Sequence, residues 1–368
     1  MNYSKIDALR LEKEAEDDIR VHLTSLTGTL CASDSVTNHE MAKLIGDFLP
    51  ILGEGRPSIR GMVALPLHVL GSEIGHSDRY APAASTHLLW WIAARFLDDL
   101  TDQGCFKISD GDALRRIFAS FSLINHFAVE QIRQLSIHDT QKDLLLRELA
   151  RGWNDGVEGQ FRDLNAQLGS STIESVMASY RGKTGAPYGM AAAMAAALGG
   201  CDLVRIAEWR DFGIQLGVLR QLANDQLDLE TERFEDLKNG VSTLRIVHAV
   251  QRLSTRERDE FLSLANAARG SGEARIELTR RLRDRNTAQE YEEFISPFFE
   301  QARQSLTKFQ GKLQHITALH RLADQAAEIC FPISPDNKRR ADEEIGHPSG
   351  ASASHGAPGQ HPIPDARN

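Results

Sequence analysis

From about Lys5 to Cys330 the apolar residues recur at three- and four-residue spacing, and no segment shows the strict alternation of a half-buried strand. That periodicity restricts the chain to packed helices. The segment 110–166 carries it over a long stretch, and clusters of glycine, serine and proline interrupt it at 52–57, 71–82, 169–171, 199–200 and 269–272. None of these interruptions resembles a linker, so the expectation is a single all-α helical bundle over residues 1–332. After Cys330 the composition turns to Pro, Gly, Ser, His and charge, with too few apolar side chains to pack, which predicts a disordered tail over 333–368. His347, His355 and His361 fall there at irregular spacing and read as solvated side chains, not metal ligands.

Charge and cysteine usage narrow the function. The formal net charge is −9, with acidic and basic residues mixed along the length, which argues against nucleic acid as the main partner. An anionic substrate therefore needs a local site. Cys31, Cys105, Cys201 and Cys330 form no CxxC pair, so neither a zinc site nor a disulfide framework is indicated. The acidic start lacks the basic flank and apolar core of a secretory signal, and the apolar run 190–198 is far short of the ~20 residues that cross a bilayer. A cytoplasmic protein without a membrane span is expected.

Two acidic clusters carry the chemistry. In Arg95-Phe-Leu-Asp-Asp-Leu-Thr-Asp102, Asp98 and Asp102 share one helix face and Asp99 is displaced by about 100°. Carboxylates this close repel one another. Mg²⁺ relieves that repulsion and commonly binds through one or two carboxylates plus substrate phosphates. In the second cluster Asn224, Asp228 and Glu232 recur every four residues, which predicts one polar stripe over two helical turns with Asp225 beside it. An all-oxygen set of this kind suits Mg²⁺, and two such stripes can face each other across the core of a bundle.

The order of these motifs resembles the trans-polyprenyl diphosphate synthases, of the class I isoprenoid synthase superfamily. Asp98-Asp-Leu-Thr-Asp102 is similar to that family's first aspartate-rich motif, and Asn224-Asp-Gln-Leu-Asp228 to a variant of its second. Gly159-Gln160 with Asp163 resembles the GQxxD element, and Arg181-Gly-Lys183-Thr184 the KT element. Gln221 matches the glutamine before the second motif, and Asp236-Leu-Lys238 opens a segment like DLxxGKxTLP. The resemblance implies an isoprenoid-synthase-type bundle with a central active-site cavity opening where Asp98 and Asp225 lie, and a homodimer. It also implies Mg²⁺ as three ions, held by Asp98, Asp99, Asp102, Asn224, Asp225, Asp228 and Glu232, with ionisation of an allylic prenyl diphosphate between them. Asp98, Asp102, Lys183, Asp225 and Asp228 are the expected catalytic set, Lys183 meeting the diphosphate as a point charge with Arg181 or Arg220 as helper. Thr184, Gln221 and Lys238 join Lys183 as substrate contacts.

The site for a second diphosphate departs from the family pattern. The GGKRxRP element is approximated by Gly53-Glu-Gly-Arg56-Pro-Ser-Ile-Arg60, leaving Arg56 and Arg60 as a basic pair. Trp91 replaces a histidine, with His87 one turn earlier read as a structural residue; no arginine pair follows Asp102; and Val241 stands where the last element has lysine. Conversely, Asn224 through Glu232 is similar to the NDxxSxxxE motif of terpene synthases, with Asp228 in place of Ser. The sequence therefore favours a terpene synthase on a polyprenyl-synthase scaffold, with a prenyltransferase as the alternative and an inactive partner subunit as a minor one. Below Asp98 the small Ala94 and Ala93 lead to Trp91 and Trp90, roughly 10–12 Å down the helix. An indole there, Trp91 in the first instance, predicts a cavity floor suited to a fifteen- or twenty-carbon chain.

Overall fold

Sixteen α-helices and three short turns of other pitch account for the regular structure among the described residues, which in this computed structural model are 5–52, 57–75, 78–102 and 111–331. The tail expected over 333–368, Arg56 and Cys105 lie outside them. The order is α1 (Lys5–Cys31), α2 (Val36–Leu52), α3 (Pro57–Ile74), α4 (Ala81–Asp102), α5 (Gly111–Ser122), α6 (Ala128–Arg133), α7 (Asp139–Leu164) and α8 (Ile173–Tyr180). Then come α9 (Ala186–Leu198), α10 (Leu203–Glu230), α11 (Glu235–Asn239), α12 (Leu244–Gln251), α13 (Thr255–Ala268), α14 (Gly272–Leu282), α15 (Arg285–Leu306) and α16 (Leu313–Cys330). No described helix is long and apolar enough to cross a membrane.

The centre is α9, whose every residue is buried. A helix apolar on all sides must be surrounded, and α3, α4, α7 and α10 enclose it. Close approach is built from small residues. A Cβ at Gly213 would lie 2.5 Å from the Tyr188 carbonyl oxygen, and one at Gly217 2.6 Å from that of Thr184, so α10 rides directly on the backbone before and within α9. The Asp202 carboxylate starts α10 by accepting the Arg205 N–H at 2.8 Å, meeting one of the amides a helix start leaves unpaired. A smaller cluster around Leu229, Phe261, Leu278 and Leu282 ties α11–α14 to the end of α10.

One expected break opens later than read, for a tertiary reason. The break read at 71–82 begins only after α3 ends at Ile74, because Gly71 is a packing residue: a Cβ there would meet the His315 ring at 2.4 Å. The long stretch 110–166 is divided among α5, α6 and α7, with a π turn over Leu123–Phe127. A second π turn, Arg181–Gly185, joins α8 to α9. Pro187 sits at the start of α9 and has no N–H, so the Lys183 carbonyl loses its usual partner four residues on and the wider turn falls just ahead of the proline.

Candidate active site

The π turn presents Lys183 to α7 and α4. Gly159 on α7 makes this possible, since a Cβ there would lie 2.1 Å from the Lys183 backbone nitrogen and 2.6 Å from Gly182 Cα. The Lys183 ammonium then donates to Asp98 Oδ1 at 3.0 Å and Asp163 Oδ2 at 2.9 Å. Gln160 donates to the same Asp98 oxygen at 2.9 Å, and Ser179 donates to Asp163 Oδ1 at 3.3 Å. Burial alone would lower the Lys183 pKa, but Asp98 and Asp163 more than offset it and hold the ammonium above the usual lysine range. Lys183 and Asp98 both keep about a third of their side-chain surface open, so a ligand can reach them.

A second chain of contacts links the same turn to α10. Thr184 donates to Gln221 Oε1 at 2.6 Å, and Gln221 donates to Asp225 Oδ1 at 2.8 Å. The other Asp225 oxygen accepts from the Tyr180 hydroxyl, which in turn accepts the Leu244 N–H at 2.9 Å. Burial pushes Asp225 up to about 7, against the lowering effect of the Tyr180 and Gln221 bonds. Asp236 is pushed up to about 8 by burial and then by the charges of Asp225 and Asp228.

The second acidic motif is not one stripe. Asn224 is exposed, Asp228 is 1% exposed, and the helix ends at Glu230, leaving Glu232 beyond it with φ +56°. The chain doubles back through Glu232 and Phe234, so that Asp228 accepts the N–H groups of Glu235 (3.0 Å) and Asp236 (3.2 Å). Asp228 therefore also anchors a loop, and Glu232, beyond the end of α10, is not aligned with Asn224 and Asp228.

The remaining expectations divide. Arg60 lies on Glu16 at 3.4 Å, tying α3 to α1. Lys238 donates to the Arg233 carbonyl at 2.6 Å. His87 is buried against the Met62 carbonyl (3.2 Å) and the edge of Tyr188, and burial lowers its pKa to about 4, as befits a structural histidine. Trp91 turns to Phe48 on α2 (ring centroids 5.2 Å) with Arg95 over its ring, so it is not the floor. Trp90 lies against Gly156, one α7 turn below the Asp98–Gln160 bond, with its indole N–H buried and unpartnered. Ala93 is fully buried and Ala94 partly so. The side chains of Asp99 and Asp102 lie outside the described residues. Among described residues no group of three His, Cys, Asp or Glu side chains is gathered as a metal cage. Sequence reasoning missed Tyr180; its signal is the position one turn before Lys183, in a helix otherwise lacking a long polar side chain facing inward.

The donor set nonetheless suits Mg²⁺. It is all oxygen, and this ion is usually held by one or two carboxylates with substrate phosphates supplying the rest, so no complete protein cage is needed.

A family model described as polyprenyl synthetase matches residues 108–280. No curated relative matches by sequence. Solved structures match nearly end to end. Geranylgeranyl pyrophosphate synthase from Corynebacterium glutamicum, complexed with isoprenyl diphosphate and magnesium, superposes with TM-score 0.73 at 16% identity, over 86% of this chain and 99% of that one. Polyprenyl synthase from Caulobacter crescentus, complexed with calcium and isoprenyl diphosphate, gives 0.65 at 20% identity, over 89% and 98%. Decaprenyl diphosphate synthase from Rhodobacter capsulatus gives 0.68 at 16%, over 87% and 98%.

Proposed function

We propose that this chain, which carries a polyprenyl synthetase domain on the class I isoprenoid synthase fold, is a divalent-metal-dependent prenyltransferase that extends an allylic prenyl diphosphate with isopentenyl diphosphate. This replaces the terpene-synthase reading that the second acidic motif favoured. The observation that carries the choice is the end of α10 at Glu230, which takes Glu232 out of the stripe that a terpene-synthase-like motif would form with Asn224 and Asp228. The domain matched and the synthases that share the fold support the same choice.

Asp98 with Asp102 on α4, and Asn224, Asp225 and Asp228 on α10, are the residues that would hold Mg²⁺, which when bound neutralises charge on the departing diphosphate. The chain's own residues supply the rest. Lys183, fixed between Asp98 and Asp163, offers a permanent positive charge to the diphosphate oxygens. Thr184 and Gln221 lock the π turn to α10 so that this charge stays opposite Asp225. As the carbon–oxygen bond breaks, the allylic carbon becomes cationic, the isopentenyl double bond attacks it, and loss of a proton leaves a diphosphate five carbons longer. Water would trap the cation, so the site must exclude it, and Leu89, Trp90 and Ala93 on α4 ahead of Asp98 are buried apolar residues. A homodimer, expected from the resemblance, belongs to the same proposal and is decided by light scattering.

The test compares two carboxylates. Asp98→Asn should nearly abolish turnover with the helical fold intact, whereas Glu232→Gln should leave it within about twofold of the parent. Loss of activity at Glu232 comparable to that at Asp98 would return the chain to the terpene-synthase reading.

A further inference from the structure

Asp225 does not hold its own position. Its two oxygens are engaged by Gln221, one turn earlier on α10, and by Tyr180 at the end of α8. The direction of the second contact is fixed by chemistry. The Leu244 amide can only donate, so the phenol oxygen accepts from it and the phenol proton points at the carboxylate. Tyr180, Asp225 and Leu244 are all buried, which makes each of these groups costly to leave unpaired.

The same loop is fastened at its other end. Asp228 accepts the amides of Glu235 and Asp236, and Tyr180 accepts that of Leu244, so the segment 235–244 is bracketed by the Asp228 carboxylate and the Tyr180 hydroxyl. Tyr180 also leads directly into the π turn that carries Lys183 and Thr184. One hydroxyl thus joins α8, α10 and α12 beside the proposed diphosphate site.

We propose that Tyr180 is a positioning residue: by fixing the Asp225 carboxylate, with the Leu244 amide orienting its own hydroxyl, it sets the α10 side of the metal–diphosphate site. This rests on the functional reading above. Groups that orient ligand-bearing side chains contribute substantially to metal affinity, and their loss typically costs ~10–100-fold. Tyr180→Phe keeps the ring and removes a single oxygen, leaving the Asp225 rotamer and the loop end without their common partner.

The experiment measures binding of Mn²⁺ together with inorganic pyrophosphate to the full chain, by calorimetry and by the free Mn²⁺ resonance signal. It uses the parent, Tyr180→Phe, Asp225→Asn, the double variant and Tyr291→Phe. Tyr291 is equally buried and feels the Asp225 charge, but its ring meets Arg245 and His248 and so controls for a hydroxyl lost near Asp225. The expected result is a loss of about 10- to 100-fold for Tyr180→Phe. The double variant should be no weaker than Asp225→Asn alone, because Tyr180 acts through Asp225, and Tyr291→Phe should bind like the parent. Parent-like binding by Tyr180→Phe, or losses that multiply in the double variant, would overturn the assignment. Without any variant, Mn²⁺ and pyrophosphate should slow exchange of the Leu244 amide in the parent, and an unchanged rate would count equally against it. A parent that binds no Mn²⁺-pyrophosphate would instead remove the functional reading and this inference with it.

Discussion

Gly159→Ala adds one methyl group where the structure has no room for it. The new carbon would sit 2.1 Å from the Lys183 nitrogen, 2.5 Å from the Gly182 carbonyl carbon and 2.6 Å from Gly182 Cα, all backbone atoms. Relaxed contacts lie at ~3.5–4.0 Å, so the π turn must retreat from α7 by more than ~1 Å. The Lys183 bonds to Asp98 and Asp163, at 3.0 and 2.9 Å, would lengthen beyond hydrogen-bonding reach. Overpacking of this kind costs about 1–3 kcal/mol, a fall of several degrees in Tm, and a displacement of ~1 Å at a catalytic group costs on the order of 10²-fold in turnover. The control is Gly46→Ala within α2, where nothing lies within 4 Å of the added carbon. The same substitution there should stabilise by about 0.5–1 kcal/mol through helix propensity and leave turnover alone. Circular-dichroism melts and steady-state rates on both variants decide it. A Gly159→Ala protein with parental Tm and turnover would refute the close-packed placement of Lys183.

Three further outcomes follow from the same geometry. Trp90→Leu should shift the product toward longer chains by opening the space against Gly156, and Ala94→Phe should shorten it, whereas Trp91→Leu, facing Phe48, should change stability without changing chain length; equal product profiles in all three would place the floor elsewhere. Asp225 near 7 and Asp236 near 8 both lie above the ~3.9 of an unfolded aspartate. The folded chain therefore binds more protons than the unfolded one between about pH 4 and 8, so their contribution is full at acid pH and is lost as pH rises through that window. The Tm should fall from pH 5 to pH 8 less steeply in Asp236→Asn than in the parent, and identical slopes would contradict the burial of that carboxylate. Among the thiols, exposed Cys31 should alkylate well ahead of Cys201 and Cys330, both pushed up to about 12 chiefly by burial; simultaneous labelling seen by mass spectrometry would argue otherwise.

What could be read in the sequence was local. Helical spacing gave the bundle, and the four-residue interval of Asp98 and Asp102 placed both on α4. Gly159, Gln160 and Asp163 match one element and Lys183 and Thr184 another, and their meeting across α7 and the π turn is visible only in the structure. The failures lie where distant residues decide. Thr231 through Phe234 contains neither glycine nor proline, and the left-handed positions fall on Glu232 and Phe234, so spacing alone ran α10 on through Glu232. Gly71 read as a breaker because His315, far along the chain, is what it accommodates. The choice between Trp90 and Trp91 depended on Gly156 and Phe48, which no interval within α4 contains. Tyr180 and Asp225 are 45 positions apart, and their bond is visible only once α8 lies across α10.

The most direct measurement of the central claim incubates the protein with Mg²⁺ and a fifteen-carbon allylic diphosphate, with and without isopentenyl diphosphate, and identifies products by mass spectrometry. Chain elongation requires a longer diphosphate that forms only when isopentenyl diphosphate is present and disappears in Asp98→Asn. A cyclic hydrocarbon or alcohol formed from the allylic substrate alone, at the same rate in either mixture, would contradict it.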